Sequence, residues 1–217
     1  MSTPTPTLTL SEAREDDAAR IVDIHMAAFG ANLMLLAQFP TPATREDLRV
    51  TLREKAIDEI QDPQWAVLVA RDDANEIISF AKWRRPIPES ELESYAEAPW
   101  KWPGGTRLDV LEEWTAKVEA AGDRLLERTP CYSLSYIGTD PNYERRGAAS
   151  ILVNWGLEHA RRENVPVALE STKNAWPLYE KLGFCGEELI SMTLEGVGDG
   201  GSSVLYEEMC FVFRPHI

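Results

Sequence analysis

The sequence predicts a mixed α/β (α+β) fold, and three observations carry that reading. Residues 131–170 run as strand, small-residue loop, amphipathic helix and buried strand, the pattern of a crossover between two parallel strands. Two further pairs of strand-like segments, 65–70 with 77–83 and 189–194 with 204–213, are joined by turn-forming residues and read as hairpins. Helical apolar spacing separates these units, at about 16–29, 44–60 and 107–128.

Along the chain, Leu-Thr-Leu-Ser-Glu-Ala at 8–13 alternates and suits a first strand. Asp16 and Asp17 provide acidic residues for a helix N-terminus, Ile21, Ile24, His25, Ala28 and Phe29 share one face, and Gly30 fits as a stop. Residues 31–39 are apolar, and Pro40 and Pro42 break the chain. Thr44 reads as an N-cap with Asp47 three residues on, opening a helix to about Ile60. The strand from Trp65 turns at Asp72–Asn75 and returns from Ile77 to Trp83.

Residues 84–106 then lose all periodicity, with four prolines, two adjacent glycines, Trp100 and Trp102. This is a long insertion, either a lid over a substrate or a surface excursion packed by its own tryptophans. A helix at 107–128 follows, with Leu108, Leu111, Val118 and Leu125 as the expected inner stripe. The crossover helix spans about 147–162, and the strand after it Val165–Glu170. Asn174 is placed to cap the next helix, with Pro177 in its first turn. The glycine-rich stretch 196–203 precedes no helix and reads as a hairpin connection.

At 217 residues with 44% apolar side chains, the chain is read as one domain, 1–217, carrying the insertion and the extra helix. A formal charge of −14 argues against nucleic-acid binding, which needs Lys and Arg to neutralise phosphates. It fits attraction of a cationic amine, or solubility alone. No apolar run approaches the ~20 residues that cross a membrane. The N-terminal stretch has no basic segment followed by a long apolar one, so no secretory leader is expected. Cys131, Cys185 and Cys210 are odd in number and widely spaced, which suits neither a disulfide framework nor a metal site. A reduced, cytoplasmic or nucleocytoplasmic protein without a metal is expected; monomer and homodimer both remain open.

The stretch with most chemical content is 139–150, Thr-Asp-Pro-Asn-Tyr-Glu-Arg-Arg-Gly-Ala-Ala-Ser. The free N–H groups of a first helical turn, together with the helix dipole, favour an anion. Gly147, Ala148, Ala149 and Ser150 leave room for a phosphate to reach the backbone, and Arg145 and Arg146 add positive charge. A dinucleotide or phosphate-loop site is not expected, since neither glycine pattern is present.

This loop, with Leu178-Tyr-Glu-Lys-Leu-Gly-Phe184, resembles the acyl-CoA-binding core of the GNAT (GCN5-related N-acetyltransferase) superfamily. The family loop is Gln/Arg-x-x-Gly-x-Gly/Ala; Gly147 and Ala149 fall in register, whereas Glu144 stands where Gln or Arg is usual. The resemblance is specific over 132–184, and the Trp- and Pro-rich insertion is similar to that of a fungal branch of the superfamily. It implies a mostly antiparallel twisted sheet of six to seven strands, with a central splayed parallel pair and helices on both faces.

The resemblance also implies acetyl-CoA as cofactor, with its amide arm along Ile137, Gly138 and Thr139, its pyrophosphate at 145–150, and Asn174 and Tyr179 beside it. Tyr179 takes the role of acid toward the leaving thiolate, and Glu170, at the end of its strand, is the candidate base. Capping, or pairing with Lys173, is the plain alternative for Glu170. His25 is a weaker candidate base, and direct transfer is favoured over a cysteine nucleophile. Phe29, Met34, Leu35, Phe39 and Trp83 are candidates for the acceptor pocket or, more plainly, for the core. The expected acceptor is a small-molecule amine; a protein N-terminus or lysine, or an acyl-CoA-binding module without turnover, stays open.

Overall fold

The computed structural model describes residues 7–92 and 94–215. The N-terminal residues 1–6, read above for a leader, lie outside that range, and among the described residues no helix is long and apolar enough to cross a membrane.

The chain runs β1 (Thr9–Glu12), α1 (Ala18–Phe29), α2 (Leu33–Gln38), α3 (Pro42–Gln61), β2 (Trp65–Arg71), β3 (Ile77–Arg84), α4 (Glu89–Leu92) and α5 (Leu108–Leu126). It continues through β4 (Tyr132–Thr139), α6 (Ala148–Glu163), β5 (Val167–Ser171), α7 (Trp176–Lys181), β6 (Cys185–Leu194) and β7 (Val204–Phe213). The seven strands form one sheet in the order β1-β2-β3-β4-β5-β7-β6. Every pair is antiparallel except β4 and β5.

That parallel pair is brief. It holds only at Tyr132↔Val167 and Ser133↔Ala168, although β4 runs on to Thr139 and β5 to Ser171. The sheet therefore opens at its centre, as expected. On its other edge β5 pairs along its whole length with β7, which lies between β5 and β6.

The helices divide between the two faces. One core joins α6 and α7 to the sheet through Leu152, Leu157, Phe211 and Phe213. On the other face, Ile21 and Ile24 of α1 pack on Val67, Val69 and Phe80. There too, Val110 and Trp114 of α5 pack with Met34 and Ala37 of α2 on Met192 and Tyr206.

Local chemistry corrects three expectations and adds a helix. The cap of α3 is Thr41, which accepts from the Thr44 N–H at 3.0 Å, and Pro42 sits in the first turn, where a missing N–H costs nothing. Residues 33–38 form a helix because Asn32 accepts from the N–H groups of Met34 and Leu35. In α5 the buried stripe is Val110, Trp114 and Ala121, flanked by half-buried Val118 and Leu125, while Leu108 is exposed. Asn174 lies within a 3-10 turn, Lys173–Ala175, and does not cap α7.

Candidate active site

The opening between β4 and β5 leads into a cavity of about 660 Å³. A β-bulge aims β4 into it. Lys82 faces Tyr136 and Trp83 faces Leu134, which leaves Ser135 as an extra residue. The bulge turns Tyr136 toward α1, where its ring meets His25 at 5.1 Å, and keeps Leu134 in the core under α6.

Of the expected cofactor residues, Ile137 lines the cavity while Gly138 and Thr139 continue the strand beyond it. Ser79 ties this stretch to β3, donating to the Gly138 carbonyl at 2.8 Å and lying 2.9 Å from the Thr139 hydroxyl. A side chain at 138 would meet the Phe80 ring at 2.8 Å, so glycine is required there.

The turn after β4 is fixed by Asp140, which accepts from the Asn142 N–H at 2.9 Å and from Arg20 at 2.6 Å. Those two donors hold its carboxyl below the usual range. Arg145 and Gly147 both adopt left-handed backbone, with φ of 61° and 90°. That conformation swings the chain so that α6 starts at Ala148 with no side chain capping it. The first-turn N–H groups of Ala148, Ala149 and Ser150 thus lack intrahelical partners. A Cβ at 147 would meet nothing within 4 Å. Arg146 lies over the Tyr143 ring at 4.8 Å. An uncapped helix start, open space and two arginines fit a pyrophosphate.

Tyr179, Glu170 and Asn174 line the same cavity. The Tyr179 ring is locked between Phe184 and Phe211, each 5.7 Å away, and its hydroxyl makes no hydrogen bond among the described residues. Burial, then the charge of Glu208, pushes its pKa up, so the phenol stays protonated. Glu170 is half-buried and its pKa is pushed up to about 7, by burial first and by Glu208 second. It is not paired with Lys173, whose ammonium reaches Glu207 at 2.5 Å.

Phe29, Met34, Leu35 and Phe39 line the cavity as expected. Trp83 does not. It is fully buried on the opposite face, where its indole N–H donates to the Leu152 carbonyl at 3.3 Å. Gly156 of α6 makes that seat, since a Cβ there would lie 2.4 Å from the Trp83 ring. His25 also reaches the cavity, but burial and the Lys82 charge lower its pKa to about 3, which makes it a poor base. Cys131 and Cys210 are held as thiols by burial, with pKa values pushed up to about 11 and about 12.

One group at the site is missing from the sequence reading: Glu208 on β7, whose burial raises its pKa. For the insertion, the structure decides between the two readings given above. Trp100 and Trp102 stack at 4.5 Å and line the cavity, with Trp102 against Phe39. Lys55 of α3, nearly fully buried, fastens that wall by donating to Glu97 and to the Ala98 carbonyl. The insertion is thus a wall of the cavity and not a surface excursion.

A sheet splayed beside an uncapped helix start, opening onto a carboxylate-bearing cavity, is the layout of a group-transfer protein with a phosphate-bearing donor. The chain belongs to the acetyltransferase (GNAT) family, whose model matches residues 31–184. It is 44% identical over 83 residues to a probable acyltransferase, SID5, of Ajellomyces capsulatus, covering 38% of this chain and 55% of that protein. It is 26% identical over 162 residues to mycothiol acetyltransferase of Thermobifida fusca, covering 68% of this chain and 48% of the relative. The chain thus spans about half the length of the curated relatives it matches. The fold is shared with a polyamine N-acetyltransferase of Drosophila melanogaster, at a TM-score of 0.66 and 14% identity over 96% of this chain and 100% of that one.

Proposed function

We propose that the protein is an acetyl-CoA-dependent N-acetyltransferase that passes the acyl group directly to a small-molecule amine. The observation that carries this reading is the meeting of Glu170 and Tyr179 in one cavity at the splay, the first poised near neutrality and the second held protonated. The donor would be held by the open edge of β4 at Ile137, Gly138 and Thr139, and by the N–H groups of Gly147, Ala148, Ala149 and Ser150 with Arg145 and Arg146 alongside. Asn174 and Tyr179 would flank its reactive end. When bound, acetyl-CoA supplies an activated acyl thioester.

The protein's own groups manage the protons and the solvent. An alkylammonium must lose a proton before its nitrogen can attack, and a Glu170 carboxylate oxygen takes it. A carboxyl near neutrality does this better than an ordinary one, because a base works best with a pKa near the operating pH. The Tyr179 hydroxyl holds the proton needed by the departing sulfur. The tryptophan wall keeps bulk water from the acceptor side. A small acceptor is supported by the aromatic wall of the cavity at Phe39, Trp100 and Trp102, and two of the relatives above are named for small-molecule acceptors.

Tyr179→Phe is the test. It is expected to lower kcat by ~10²-fold or more while leaving acetyl-CoA affinity, measured by calorimetry, unchanged. Equal loss of both would assign Tyr179 to packing. Tight acetyl-CoA binding without thiol release on any amine would make the protein a binding module.

A further inference from the structure

We propose that Glu208 anchors the ammonium group of the acceptor, and that the acceptor is a primary amine with an apolar, preferably aromatic, body and no carboxylate. The inference rests on the acetyltransferase reading above and names the substrate class of that site.

Register places Glu208. Glu170 of β5 faces Cys210 of β7, and residues two apart on a strand share a face. Glu208 therefore projects into the same cavity as Glu170, as its diagonal neighbour on the next strand.

Glu208 is also held in place. The Tyr206 hydroxyl donates to its Oε1, and the Asn32 side-chain amide donates to the Tyr206 oxygen at 3.1 Å. Asn32 is itself fixed, since its Oδ1 accepts from the Met34 N–H at 2.8 Å as the cap of α2. The Tyr206 ring packs edge-on against Trp114 at 5.2 Å. Burial raises the Glu208 pKa and the Tyr206 hydrogen bond offsets part of that rise, so an arriving ammonium is what completes its charged form. Glu170 receives no side-chain hydrogen bond among the described residues, which suits a group that exchanges a proton.

What the pair lacks is a cation. Among the described residues, the titratable side chains lining the cavity besides tyrosines are His25, Glu170 and Glu208, and no lysine or arginine lines it. Arg84 of β3 lowers the Glu170 pKa by less than burial and Glu208 raise it, and Glu188 of β6 is engaged by Arg124. A buried carboxylate without a counter-ion is costly, and a ligand ammonium removes that cost. Both carboxylates lie at one end. The other wall is Phe39, Leu48, Leu52, Trp100 and Trp102; Lys55, behind the Trp100 ring, is already taken by Glu97 and the Ala98 carbonyl, so a second ammonium or a carboxylate here would lose its hydration without gaining a free partner.

Phenethylamine, phenylalanine and putrescine differ in these features alone, and quenching of tryptophan emission reports their binding whether or not turnover follows. Phenethylamine is expected to bind at least about tenfold more tightly than either of the others, as one unpartnered polar group in an apolar pocket dictates. Glu208→Gln should raise its Kd about tenfold or more, and Tyr206→Phe by less, with acetyl-CoA affinity unmoved in both as the control for folding. Equal binding of phenylalanine, or an unaltered Kd in Glu208→Gln, would overturn the anchor. Failure of acetyl-CoA to bind the wild-type protein would instead overturn the acetyltransferase reading, with the amine series still reporting on Glu208.

Discussion

Glu170 and Glu208 face one cavity from neighbouring strands, and the charge of Glu208 makes Glu170 harder to ionise. The direction of the pH effect follows. A base must be deprotonated to act, so kcat rises with pH through the Glu170 value of about 7 and levels above it. Replacing Glu208 by Gln removes one of the two causes that raise this value, and the acid limb of the kcat profile should move to lower pH. A limb that stays in place would mean that another group governs it. Only part of this arrangement is legible in the sequence. Glu170 is visible because it ends a buried strand beside the loop. Glu208 is not, because Glu207 and Glu208 sit side by side in β7 and point to opposite faces, and only register with β5 says which one enters the cavity. Trp83 shows the converse: as a strand-end aromatic it looks like a pocket residue, but the parity of β3 sends it under α6.

Among elements, the insertion bears most on the acceptor. Trp100 and Trp102 contribute its inner surface, Lys55 ties it to α3, and the Tyr95 hydroxyl adds a second tie to Asp62 at 2.8 Å. Lys55→Met keeps most of the side-chain volume and removes the donor. Charge-assisted hydrogen bonds are worth about 1.5–3 kcal/mol, so the wall should loosen and KM for the amine should rise ~10-fold, with KM for acetyl-CoA unchanged. An unchanged amine KM would detach the wall from acceptor binding. Elements that announce themselves by local chemistry were legible: the hairpin of β2 and β3 by its turn, α1 by its stripe and Gly30, and the start of α6 by Gly147. The short α2 was hidden in an apolar run because Asn32 as its cap was passed over. The inner stripe of α5 shifted because Val110 and Trp114 set it four residues apart, at Leu108's expense. The order of β5, β7 and β6 depends on contacts remote in sequence, and no periodicity encodes it.

Taken whole, the molecule would, in the proposed reaction, bring a cation and a polyanion to one opening while carrying a formal charge of −14. Its field attracts an ammonium at long range and repels a phosphate-bearing donor. The proposed donor would instead be captured locally, by Arg145, Arg146 and the free N–H groups at the start of α6, inside the reach of that repulsion. Salt screens the two effects unequally. At low ionic strength the Debye length is about 30 Å and spans the molecule; near 0.15 M it is about 8 Å and leaves only neighbouring groups. Long-range steering of the amine is lost first, and long-range repulsion of the donor is relieved over the same range. Between 0.01 and 0.15 M salt, therefore, kcat/KM for a cationic amine should fall several-fold, whereas kcat/KM for acetyl-CoA should not fall. Steady-state titration of each substrate against saturating partner separates the two slopes. Parallel falls would mean that the arginines dominate donor capture at every distance, and that the acidic surface steers the amine without repelling the donor.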